Sequence, residues 1–132
     1  MKKLLSIFLI MVVFLTGCAS KKEESYKSHI FSLVNDNIQI LEEYVSKDKT
    51  KNPLAKELSD LKIKETEEIT LIGASDIVVF EMYHTGLYDG GVEYGFYYTK
   101  GDRELNKTIS TNDYMVIEQI RTNWYYYEWH NG

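Results

Sequence analysis

The feature that most confines this chain is a change of apolar period part-way along it. Tyr26, Ile30, Leu33, Val34, Ile38, Leu41, Tyr44 and Val45 recur at three- and four-residue steps. That spacing lays one apolar stripe along a helix, with Lys27, Asp36, Gln39 and Glu43 falling mostly away from it. It predicts an amphipathic helix over 25–46, capped by Ser25 or a neighbour. From about residue 67 the pattern shortens towards alternation and turns β-branched and aromatic, with nine of the eleven tyrosines after position 80. Such residues suit a pleated, half-buried surface. Helices first and strands afterwards predict an α+β domain, with helix packed on one face of an antiparallel sheet of about four to five strands. A cystatin-like or NTF2-like cone, a long helix cradled by a curved sheet, has the same order and is an analogy of fold alone.

The remaining elements follow from local signals. Asn52-Pro53 reads as an N-cap with proline at the first helical position, and Leu54, Leu58 and Leu61 make a second stripe, so a short helix is expected at 53–62. Ile69 and Leu71 suit a short strand ending at Gly73. Asp76 to Thr85 and Val92 to Thr99 read as a hairpin around Tyr88-Asp89-Gly90-Gly91. With Asp89-Gly90 as a two-residue loop, Tyr83 would face Phe96 and Thr85 would face Tyr94. Ile77, Val79, Tyr83, Leu87, Val92, Tyr94, Phe96 and Tyr98 would then share the helix-facing side, leaving Phe80, Met82, His84 and Tyr97 on the other. Lys100–Asn112 reads as a polar loop with a short pairing at Lys107–Ile109. Tyr114–Ile120 has both strand and helix signals and leans to strand, and Trp124–His130 is strongly β-prone.

The N-terminus carries a different kind of signal. Lys2 and Lys3 precede an apolar run from Leu4 to Leu15, broken only by Ser6, and Leu15-Thr16-Gly17-Cys18 follows. Twelve residues are too few for a spanning helix, which needs about 20, and the layout is that of an export signal. Leu15-Thr16-Gly17-Cys18 resembles the lipobox of bacterial lipoproteins. The resemblance implies a diacylglyceryl group on the Cys18 thiol and cleavage between Gly17 and Cys18. It divides the chain into a signal peptide (1–17), a lipidated cysteine with linker (18–24) and a domain (25–132). The expected location is the extracytoplasmic face of the cell membrane, and the mature chain is similar to small Gram-positive lipoproteins that have no assigned activity. Two acyl chains suffice for stable anchoring where one does not, and Lys21 and Lys22 would add attraction to an anionic leaflet. An extended linker over 19–25 would reach about 25 Å.

Composition narrows the function classes. Without Lys2 and Lys3 the chain has 13 basic and 20 acidic residues, a net charge of −7. With no basic cluster, nucleic acid is not an expected partner. Cys18 is the only cysteine, so once it carries lipid no disulfide or thiolate chemistry remains. His29, His84 and His130 lack ligand spacing, no cofactor motif is present, and neither a nucleophile elbow nor a phosphate loop occurs. The conspicuous cluster is Trp124–His130. Alternation puts Trp124, Tyr126, Glu128 and His130 on one face and Tyr125, Tyr127 and Trp129 on the other. Trp124, Tyr126 and Glu128, extended by Tyr97, form the expected binding surface for an envelope protein, peptide or glycan. A non-enzymatic, membrane-anchored binding module is the first expectation. The second is a cell-wall hydrolase using Glu81, Glu93, Glu118, Glu128 or His84, although Glu81 and Glu93 fall on opposite faces in the register above. The third is a phage-exclusion or immunity lipoprotein.

Overall fold

The computed structural model describes residues 21–47, 55–66, 77–86, 90–101 and 113–131. The lipobox, the expected strand at 69–73 and the pairing at 107–109 lie outside them. The chain is helical over 21–36 (α1) and again over Ile38–Ser46 (α2), followed by the short helix Ala55–Asp60 (α3). Five strands make one antiparallel sheet: β1 (Lys64–Thr66), β2 (Ile77–Thr85), β3 (Gly91–Thr99), β4 (Tyr114–Arg121) and β5 (Trp124–Asn131), in the order β1-β2-β3-β5-β4. This is the α+β architecture the change of period predicts. No helix among the described residues is long and apolar enough to cross a membrane.

The long helical stripe is where the spacing puts it. Ile30, Leu33, Val34 and Leu41 are buried against Val78, Phe80, Tyr94, Phe96, Trp124 and Tyr126, with Tyr26, Ile38, Tyr44 and Val45 packed at the margin. Each fully buried side chain of this size contributes about 1.5–3 kcal/mol. The helix differs from expectation in two ways. It has begun by Lys21, so Ser25 is interior and caps nothing. It is also interrupted at Asn37 (φ −116°, ψ 18°), whose backbone N–H and side-chain Nδ2 both donate to the Leu33 carbonyl, at 3.1 and 2.9 Å. An asparagine amide turned back on the preceding turn competes with helical geometry and leaves α2 without a side-chain cap.

The β2–β3 register differs from the two-residue-loop reading. Five residues, 86–90, separate the strands, so Thr85 faces Val92 and Tyr83 faces Tyr94. A bulge between Glu81 and Tyr83 then adds Met82 to one strand only, and beyond it Phe80 faces Phe96 and Val78 faces Tyr98. One extra residue reverses the side on which every preceding residue points. Phe80 and Val78 therefore enter the helix-facing core, and Met82 packs beside Tyr83 on that same side. Ile77 and Val79 join Tyr97, Tyr127 and Trp129 on the opposite face. Val92, Tyr94, Phe96, Tyr98 and Tyr83 lie on the helix side as expected, and Leu87 is outside the described residues. Tyr114–Arg121 is a strand, and Lys64–Thr66 is a strand that its polar sequence gave no reason to expect.

Candidate functional site

Alternation along β5 is as the sequence predicts, but the surface expected there is interior. Trp124 and Tyr126 are fully buried under the helices and Tyr97 is fully buried on the opposite face, so these three form no exposed platform. Helical cover on one side of the sheet, together with the bulk of the aromatic side chains, takes them out of solvent. Glu128 alone of the expected set reaches the surface in part.

The large apolar side chains that are exposed among the described residues lie one strand further out. Tyr114 and Val116, at 58% and 41% exposure, both stand on β4, which pairs with β5 and ends the sheet. Tyr114 sits opposite His130 in the register, and the two rings stack at 4.1 Å with planes 11° apart. His130 Nε2 lies 3.2 Å from Glu128 Oε2, and the Tyr126 hydroxyl donates to Glu128 Oε1 at 2.6 Å. Burial, and after it the bond to Glu128, holds the Tyr126 hydroxyl far above its ordinary range. Glu128 thus takes one bond from Tyr126 beneath it and meets His130 at its side.

Helix α1 completes the rim. Lys27 pairs with Glu118 of β4, and its ammonium lies 5.9 Å from the Phe31 ring centroid and 5.8 Å from that of Tyr126. The hydrogen bond to Glu118 raises the Lys27 pKa, so the ammonium stays charged. Arg121 donates to Asn35 Oδ1 at 3.4 Å, a second tie from β4 to the helix. Tyr114, Val116, Glu118, Glu128, His130 and Lys27 therefore form an open patch, a flat aromatic pair edged by charges that are already partnered.

The acidic residues considered for hydrolysis divide between the faces. The bulge brings Glu81 and Glu93 to the same side of the sheet, contrary to the regular register, with Gly95 between them on β3 and across from Glu81. Glu93 is only 5% exposed and accepts from the Tyr127 hydroxyl at 2.5 Å. Burial first, then Glu93, pushes Tyr127 well above the usual tyrosine range. His84 stands opposite Glu93 and is exposed. His29 contacts the Tyr83 hydroxyl. Among the described residues no three His, Asp or Glu side chains gather as a metal site.

Lys22, Glu23 and Tyr26 of α1 line a cavity of about 260 Å³ with Thr85 and Tyr94. Tyr26 stacks on Tyr83 at 4.4 Å and leans on Tyr94 at 5.2 Å. Comparison with protein-family models, curated proteins and solved structures finds no match to this chain. The place of Tyr114 beside His130 is not legible in the sequence, because only the pairing of β4 outside β5 brings the two together.

Proposed function

We propose that the protein is a lipid-anchored, non-enzymatic interaction module of the bacterial cell surface. Leu15-Thr16-Gly17-Cys18, behind a charged n-region and a twelve-residue apolar run, carries this reading. The β4 edge supports it with an exposed aromatic and aliphatic pair next to partnered charges, the kind of surface that retains peptides or glycans of the envelope. Incorporation of a clickable palmitate tests the anchor. Wild-type protein is expected to take up the label and Cys18→Ser to lose both label and membrane partitioning. Uptake independent of Cys18 overturns the reading.

For the contact surface, Tyr114→Ala is expected to weaken retention of an envelope component by about 2 kcal/mol or more while leaving far-UV circular dichroism unchanged, as for an aromatic anchor. A wall hydrolase is the second reading, favoured by His130 beside Glu128. Turnover of purified peptidoglycan, lost in Glu128→Gln, would replace the first reading with this one.

A further inference from the structure

A chain already helical at Lys21 limits how far the domain stands from its anchor. Lys21 is already helical, so three peptide steps separate it from Cys18, and these span at most about 10 Å. Lys22, Glu23 and Tyr26 line one cavity with Thr85 and Tyr94. Thr85, Val92, His130 and Tyr114 are successive cross-strand partners in one row across the sheet. With strands 4.7–4.9 Å apart that row is about 15 Å long. The Tyr114–His130 stack therefore lies at the end of the sheet nearest Lys21, within about 30 Å of the Cys18 sulfur.

The chemistry of the patch selects among the groups found that close to a bilayer. An anionic phosphate would meet Glu118 and Glu128 on a chain whose net charge is −7 once the leader is removed. A cationic amine would meet the Lys27 ammonium, which is paired with Glu118 and whose charge also acts on Glu128. A sugar suits the patch better. Its hydroxyls both donate and accept, and its C–H face stacks on an exposed aromatic ring. Lys27 has three N–H donors and each carboxylate about four acceptor positions, so the existing bonds leave capacity for both kinds of contact.

Resting on the anchored reading, we propose that this patch binds a neutral saccharide carried at headgroup level, the sugar of a glycolipid in the membrane that holds the protein. Tether and ligand in one plane turn a weak contact into a high-occupancy one, because the effective concentration is set by the short reach.

The test uses the lipidated protein in bicelles of phosphatidylglycerol, with and without a monoglucosyl diacylglycerol, observing the His130 and Tyr114 ring resonances. Saturable movement of both with the glycolipid is expected, with none for phosphatidylglycerol or phosphatidylethanolamine alone, and Tyr114→Ala should abolish the His130 response. Equal movement without the sugar overturns the proposal, as does a response confined to free glucoside in solution. Co-flotation with vesicles is scored separately. Protein that floats but shows no ring response refutes the sugar while keeping the anchor, and protein that never floats removes the anchor and the proposal together.

Discussion

Lys62 closes α3 in a conformation that side chains avoid. Its φ is +58°, with Lys62 N–H bonded to the Ser59 carbonyl at 2.9 Å and Ile63 N–H to the Leu58 carbonyl at 3.0 Å. That bond pair is the helix-ending motif in which glycine is favoured, and buried Leu58 and Ile63 supply its apolar contact. Lys62→Gly is expected to raise stability by about 0.5–1 kcal/mol in urea denaturation. Gly95 is the opposite case. A Cβ there would lie 2.1 Å from the Phe80 carbonyl oxygen and 2.7 Å from the Tyr127 ring and hydroxyl. Gly95→Ala is expected to cost ~1–3 kcal/mol, towards the upper end because a backbone oxygen cannot swing aside. Tyr127→Phe keeps the ring and removes one donor from buried Glu93, so a loss of ~1–3 kcal/mol is expected in thermal unfolding.

At the scale of elements, what could be read in advance was periodicity, and what could not was its interruption. The stripe from Tyr26 to Val45 survives Asn37 because the Leu41 N–H still reaches the Asn37 carbonyl at 3.1 Å. Alternation in β5 predicted which residues share a side, but not that Trp124 and Tyr126 would lie under a helix, since burial depends on which strands flank β5. The Met82 bulge left no mark in composition, and it decides the facing of Ile77 through Glu81. Deleting Met82 would leave Tyr83 opposite Tyr94 and Glu81 opposite Gly95 in an unbroken ladder. The deletion is therefore expected to fold with Phe80 still in the core and near-UV circular dichroism close to wild type. Inserting an alanine between Phe80 and Glu81 reverses facing again and is expected to abolish cooperative unfolding.

For the molecule as a whole, buried and half-buried tyrosines are expected to set an alkaline limit. Burial first, and the hydrogen bond to Glu65 second, raise Tyr44 from 10.0 to about 12, and Tyr83, Tyr94, Tyr126 and Tyr127 shift in the same direction. A folded-state pKa above the unfolded value means the native state holds its proton more tightly. The stability this provides is complete below pH 10 and is lost as pH climbs towards 12. Tyrosinate absorbance and far-UV circular dichroism are expected to change together across that window, and Tyr44→Phe should move the transition. The strand order has a consequence in time as well as in space. β5 lies between β3 and β4 although it follows both in sequence, so the interior of the sheet waits for residues that leave the ribosome after all its neighbours. Until then β3 and β4 have no strand between them, and the sheet is completed by its last strand through pairings on both sides.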